Sequence, residues 1–266
     1  MSLPDRERTT ILAMEQLEEP SLGTTVDAGI ATVTIRNPAK RNAMTPRMWR
    51  QLPELLQRLA RDTTVRALVL TGAGETFCAG ADIGSLRETV TESQNLSVGA
   101  EEALAAFPRP TLAVVRGHCV GGGCQLAAGC DLRFAAEDAT FGITPAKLGI
   151  VYPEPSARRL TRLVGPASAK YLLFSGELID AARALRTGLV DETHPAGHLA
   201  DRVAEFTGTL ARRSGLTQAA AKECVDGRAD PERVADWRRT ATESGEATEG
   251  VTAFLERRAP RFTWPA

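Results

Sequence analysis

The stretch "GGGCQLAAGCDL", Gly121 to Leu132, follows an apolar run with three successive glycines and then a segment of helix-forming residues. Glycine carries no Cβ, so it suits places where the chain turns sharply or where another group must approach the main chain closely. The segment "GGCQLAA" reads as the opening of a helix, and the first N–H groups of a helix find no partner within it. Those donors, with the positive end of the helix dipole behind them, make a docking point for a carbonyl oxygen.

A second glycine-bearing stretch lies upstream. "GAGETFCAGADI", Gly72 to Ile83, also follows a strand-like run and again leaves the backbone bare. If the N–H of Ala81 and the N–H of Gly122 point at one carbonyl oxygen, the pair stabilises an enolate or another oxyanion. A glycine cluster on its own more often marks a tight turn or close packing. The two stretches together favour the oxyanion reading.

Around these stretches the chain alternates strand and helix. "GIATVTIR" (Gly29 to Arg36) alternates apolar and polar positions as a half-buried strand does, whereas "RALVLT" (Arg66 to Thr71) and "PTLAVVRG" (Pro110 to Gly117) read as buried strands. Between the first two, Thr45 can cap a helix that starts with Pro46 and carries Met48, Leu52, Leu55, Leu56 and Leu59 at helical spacing. Strand, helix, strand, repeated, implies an α/β fold with crossover connections. From about Ala200 onward the pattern is helical throughout, broken by Gly, Ser and Pro. No fixed-period repeat and no low-complexity linker is present.

Composition narrows the function class. The 266 residues are 43% hydrophobic and 24% charged, enough to bury the core of a soluble domain. Lys plus Arg total 32 against 33 for Asp plus Glu, so no global field draws nucleic acid or an anionic membrane. The first twenty residues lack the apolar run of a secretory signal, and no segment is apolar for a membrane-spanning length. The five cysteines form no disulfide-like framework, and a reducing cytoplasm is the expected location. His118, Cys119, Cys124 and Cys130 follow no metal-ligand spacing. Pro195 and Gly197 between His194 and His198 argue for a loop rather than a zinc-binding helix. No bound metal or cofactor is expected.

The order of "IRNPAKRNAMT", "FCAGADI", "GGGCQLAAGCDLRFA", "TPAKLGI" and "FLERRAPRF" resembles that of the enoyl-CoA hydratase/isomerase, or crotonase, family, over about residues 23–262. The resemblance implies a crotonase-like spiral of ββα units with a C-terminal helical region. It divides the chain into an N-terminal extension (1–22), a core with the active and coenzyme A sites (23–200), and helices (201–266) that assemble a trimer or a dimer of trimers. It implies an acyl-CoA thioester as substrate, with coenzyme A entering as part of it. Ala81 and Gly122 fall on the family's oxyanion-hole positions. Ala79, Asp82 and Ile83 fall near the adenine-binding main chain, and Lys40, Arg41 and Arg257 are candidates for the phosphates. Asp82 and Asp131 read as loop-bracing carboxylates.

Two departures bear on the reaction. Hydratases of the family use two glutamates, and laid on that pattern without a gap this chain has Gln125 and Pro145 there. An amide donates and accepts hydrogen bonds but is no carboxylate base, and proline has no polar side chain. The following segment, "TPAKLGIVYPEPS", supplies Tyr152 and Glu154, and is similar to that of the family's methylmalonyl-CoA decarboxylases. Loss of CO2 from a β-carboxyacyl thioester forms the enolate directly, so decarboxylation is the favoured reaction, with Gln125 and Tyr152 holding the carboxylate. Tyr152 reads equally as a residue packed in the pocket wall. An inward Glu154 instead supports hydration or isomerisation, while an outward Glu154 is a carboxylate at a helix N-terminus. A coenzyme A-binding or assembly protein without catalysis is the third possibility.

Overall fold

The computed structural model of the chain describes residues 19–86 and 90–264; residues 1–18 of the expected N-terminal extension lie outside the described residues. The first described elements form a hairpin of β1 (Ser21–Asp27) and β2 (Ile30–Arg36). Its two-residue turn is Ala28-Gly29, with φ of 47° and 81°, the left-handed geometry that matches strand twist in tight hairpins. β1 thus begins inside the stretch that the sequence reading assigns to the extension. β3 (Ala67–Gly72), β4 (Thr111–Val115), β6 (Leu132–Ala136) and β9 (Glu192–His194) follow β2 in parallel, giving a mixed sheet in the order β1-β2-β3-β4-β6-β9. His194 therefore lies on a short edge strand rather than in the expected loop, because its three-residue run pairs with β6.

Both faces of this sheet are covered, which is why β3 and β4 are apolar without alternation. Leu68, Leu70, Ala113 and Val115 belong to the main core, while Val69, Leu112, Val114 and Phe134 form a second cluster on the opposite face with Leu199. The main core is closed by α1 (Pro46–Arg61), whose stripe is Met48, Trp49, Leu52, Leu55, Leu56 and Leu59. The Thr45 hydroxyl accepts from Met48 N, so the expected cap is in place.

The crotonase-like spiral shows in how each turn is built. After β4 the chain enters β5 (His118–Val120) and then α4 (Gly122–Gly129); after β6 it enters β7 (Thr140–Gly142) and, past a short 3-10 turn at Pro145–Leu148, α5 (Glu154–Ser175). β5, β7 and β8 (Ile179–Asp180) make a second, three-stranded sheet. The loop after β3 joins it through a parallel bridge between Cys78 and Cys119, before α2 (Ile83–Leu86) and α3 (Val90–Ala105). Each turn thus runs from the large sheet to the small one and back through a helix. The two glycine-bearing loops, after β3 and after β5, lie at that passage.

Beyond α6 (Ala181–Thr187) the chain is helical apart from β9: α7 (Leu199–Arg212), α8 (Gly215–Val225), α9 (Pro231–Glu243) and α10 (Glu246–Leu255). α7 covers the second face of the large sheet, and α8 and α9 pack around Leu216 and Trp237. Among the described residues no helix is long and apolar enough to cross a membrane. All five cysteines are free, and only Cys224 is exposed. Burial pushes the Cys78 and Cys130 thiols up to about 12. At pH 8 the folded protein is expected to consume one equivalent of a thiol reagent, at Cys224, and five after denaturation, read by intact mass.

Candidate active site

The three glycines that open α4 each have a separate physical reason. Gly121 sits at φ 55°, ψ −118°, a region side-chain-bearing residues rarely enter, and donates its N–H to Gly142 O at 2.8 Å. A methyl on Gly122 would lie 3.0 Å from the Trp49 ring and 3.5 Å from Ala81 N. One on Gly123 would lie 2.2 Å from Cys78 O. The first glycine makes the turn, the second keeps the approach to Ala81 open, and the third lets α4 pack onto the neighbouring loop.

That neighbouring loop is held from both sides. Cys78 N donates to His118 O and Val120 N to Cys78 O, while Met44 N donates to Gly80 O and Asp82 N to Met44 O. Ala81 N takes no part in this ladder, and among the described residues neither it nor Gly122 N donates to any protein acceptor. Gly80, at φ 103°, brings the loops together: a methyl there would lie 2.9 Å from Val120 O and 3.2 Å from Gly122 N. Two unused main-chain donors from separate loops therefore stand side by side, one of them at the positive end of α4.

They open into a cleft of about 700 Å³, counting its mouth. Trp49, Gly80, Ala81, Gly121 and Gly122 line it together with Ser93, Gln94 and Ser97 of α3 and with Pro145, Leu148, Ile150 and Tyr152 of the segment after β7. Gln94 Nε2 donates to Val151 O at 2.5 Å, tying the two walls together. Among the described residues no side chain lining the cleft is a carboxylate, an ammonium, a guanidinium or an imidazole.

Of the other residues singled out by sequence, Gln125, Tyr152, Ala79 and Ile83 also line the cleft. Lys40, Arg41 and Asp82 gather beside Ala79: Lys40 Nζ pairs with Asp82 Oδ2 at 2.7 Å, and Ala79 N donates to Arg41 O. Asp82 also accepts from Gly84 N, and Asp131 accepts from Thr111 N and Lys222 Nζ, both bracing their loops. Glu154 is not among the lining residues: its side chain is 66% exposed at the start of α5 and pairs with Arg158. Arg257 is exposed beyond the end of α10 and does not line the cleft. Among the described residues no cluster of His, Cys, Asp and Glu can hold a metal.

Sequence reasoning missed the polar group behind Gln125. Glu101, on α3, is fully buried, and its carboxylate accepts from Gln125 Nε2 at 2.9 Å, from Ser156 Oγ at 2.5 Å and from Arg159. Gln125 Nε2 also donates to Ser156 Oγ at 3.0 Å. Burial works against the Arg159 charge, but Glu101 and Glu102 outweigh it and raise its pKa. Removing one member of such a buried pair costs about 3–5 kcal/mol. The two acceptors lie 2.5 Å from each other, so both sit on one side of the Gln125 amide nitrogen. Tyr152 stays a neutral O–H donor well above the ordinary phenol range, chiefly through burial and secondly through the Glu101 charge.

The family profile described as Enoyl-CoA hydratase/isomerase matches residues 25–264 of the chain. A 2,3-dehydroadipyl-CoA hydratase of Escherichia coli is 32% identical, over 88% of this chain and 94% of the relative. A 1,2-epoxyphenylacetyl-CoA isomerase of Escherichia coli is also 32% identical, over 90% of this chain and 96% of the relative. The crystal structure of an enoyl-CoA hydratase of Mycobacterium smegmatis superposes with a TM-score of 0.83 at 30% identity, covering 92% of this chain and 99% of that one.

Proposed function

Because this chain belongs to the enoyl-CoA hydratase/isomerase family, we propose that its cleft takes an acyl-CoA thioester whose oxygen is received by the N–H groups of Ala81 and Gly122 as it becomes an enolate oxygen. The reading rests on the two unused donors that line the cleft. Lys40, Arg41, Ala79, Asp82 and Ile83 then meet the coenzyme A part at the rim. Arg257 and the exposed Val251, Phe254 and Leu255 belong to the C-terminal region, where a trimer or a dimer of trimers assembles.

For the reaction we propose decarboxylation of a small β-carboxyacyl-CoA. A cleft with no carboxylate or imidazole lining it among the described residues suits a reaction that forms the enolate without a base. The bond from Cα to the carboxylate breaks, its electron pair enters the Cα–carbonyl π-system, and charge builds on the thioester oxygen as CO2 leaves. A proton from water then returns to Cα. Gln125 and Tyr152, which both line the cleft, hold the carboxylate before it departs.

The names of the relatives favour a second reading, hydration of an enoyl-CoA or isomerisation. Glu154, paired with Arg158 outside the cleft lining, supports it less than an inward carboxylate would. A panel of malonyl-, methylmalonyl- and crotonyl-CoA decides: CO2 release supports the first reading, water addition or double-bond movement the second, and binding without turnover a non-catalytic role. Tyr152→Phe is expected to lower kcat for the β-carboxy substrate about 10- to 100-fold, the worth of one hydrogen bond to a charged group, with an unchanged melting temperature. A native kcat in that variant removes Tyr152 from the step.

A further inference from the structure

A second cavity, of about 690 Å³ counting its mouth, lies between the turn at 106–109, α8 and α9. Arg109 stands just before β4, whereas the Ala81 loop follows the parallel neighbour β3, so this cavity and the cleft lie at opposite ends of the large sheet. They share no lining residue. Phe107, Trp237 and Trp264 give the cavity aromatic walls, and the two indoles meet at 68° with ring centroids 5.9 Å apart.

The charged groups around it are unevenly placed. Arg109, Lys222, Arg228 and Arg233 line the cavity, against one lining carboxylate, Glu223, among the described residues. That carboxylate is already taken: both its oxygens accept from Arg233, and Oε2 accepts from Trp237 Nε1 as well. Asp131 and Asp226, which pair with Lys222 and Arg228, are not among the lining residues, and neither is Glu246, which accepts from Ser214 and from Trp264 N. The Lys222 side chain is only 7% exposed, and its ammonium spends two of three N–H groups, on Arg109 O at 3.1 Å and Asp131 Oδ2 at 2.8 Å. Trp264 bonds through its main chain, to Glu246 and Arg66, and leaves its indole N–H unused among the described residues. Arg66, held by Trp264 O and Arg213 O, adds a positive charge near Arg109. Burial lowers the Arg109 pKa most; Asp62 opposes that shift and Arg66 adds to it.

We propose that this cavity is a binding site for a flat aromatic carboxylate, with its ring against the two indoles and its charge met by Lys222 together with Arg109 and Arg228. Apolar walls carrying a few convergent polar groups are what small-molecule sites of this size present. An aromatic ring suits indole walls, stacked or edge to face. One carboxylate suits the remaining Lys222 N–H and leaves the existing ion pairs in place, whereas a phosphate alone would leave the indoles nothing to meet. The site goes beyond the acyl-CoA reading and does not depend on it.

The test titrates the full chain by calorimetry with 2-naphthoate, 2-naphthamide, cyclohexanecarboxylate and inorganic phosphate. Naphthoate is expected to bind saturably at one site per chain, and the amide, of the same shape without the charge, at least about tenfold more weakly, the worth of one hydrogen bond to a charged group. Cyclohexanecarboxylate and phosphate are each expected to bind at least about tenfold more weakly too, for want of a ring. Trp264→Ala and Lys222→Gln are each expected to weaken naphthoate about tenfold and to leave the affinity for butyryl-CoA unchanged. Arg228→Gln, at an exposed side chain, serves if Lys222→Gln fails to fold. Absence of saturable binding up to about 5 mM naphthoate, equal affinity for acid and amide, native affinity in the variants, or displacement of naphthoate by butyryl-CoA overturns the proposal. The naphthoate comparisons need no thioester, so failure of this site and failure of the acyl-CoA reading are told apart.

Discussion

Ala81→Pro is expected to lower kcat about 10²- to 10³-fold, the loss that follows removal of one oxyanion-hole donor, or about 2.7–4 kcal/mol of transition-state stabilisation. Proline is the substitution to use because the donor is a main-chain N–H, which every other residue retains. The local ladder survives it: Met44 N still donates to Gly80 O at 2.7 Å and Asp82 N to Met44 O at 2.9 Å, and Ala81 N donates to nothing among the described residues. Gly80, at φ 103°, precedes the new ring and has no Cβ to meet it. Ala81→Ser, which keeps the N–H, is expected to retain most activity. The check is kcat measured beside the affinity for a coenzyme A thioester: a donor used mainly in the transition state changes the first more than the second. A folded Ala81→Pro with native turnover would exclude Ala81 from the reaction.

Gly123→Ala is expected to cost about 3 kcal/mol or more, read from the urea midpoint at an unchanged slope. Helix propensity alone points the other way, since alanine is favoured over glycine by about 1 kcal/mol inside a helix. The contact decides: the new methyl would lie 2.2 Å from Cys78 O and 3.0 Å from Cys78 C, both main-chain atoms of a loop that is itself hydrogen-bonded to β5. Neither α4 nor that loop can retreat without opening the core. Gly99 supplies the control, being exposed on α3, where a methyl would have no neighbouring atom within 4 Å. There Ala replaces Gly with no clash, and Gly99→Ala is expected to stabilise the protein by about 0.5–1 kcal/mol. Equal effects at the two positions would show that α4 does not pack as described.

The parts of the fold legible in the sequence were those whose burial imposes a pattern. β2 alternates because one side of it is half-covered, α1 repeats at helical spacing because one stripe meets the sheet, and the Gly121 turn stands out because only glycine suits it. β1 left no such mark: an edge strand with one neighbour, its residues half-buried or exposed, it carries only Leu22 and Val26 as large apolar residues, with Thr24 between them on the same side. β5, β7 and β8, two or three residues each, are too short to display a period.

The site divides along the same line. Main-chain donors could be addressed from glycine positions, whereas the orientation of Gln125 depends on partners 24 and 31 residues away. Yet Glu101 did carry a readable sign. Ser97, Ala100, Glu101 and Leu104 follow one stripe of α3, all buried, and a carboxylate on such a stripe calls for a cation and donors elsewhere in the chain. Arg159 and Ser156 answer it from α5.

The tie from Gln94 to Val151 joins the parts of the cleft that neither sheet supports: one wall comes from α3, the other from the segment between β7 and α5. Leu148 and Ile150, on the latter wall, stand apart from the packing that holds the molecule folded, for Leu148 is 53% exposed and Ile150 only half-buried. Under the proposed acyl-CoA reading, mutational tolerance and chemical selectivity therefore fall in the same short segment. A library confined to those positions is a route to new acyl preferences at little risk to expression yield, with the reacting end of the molecule left as it stands.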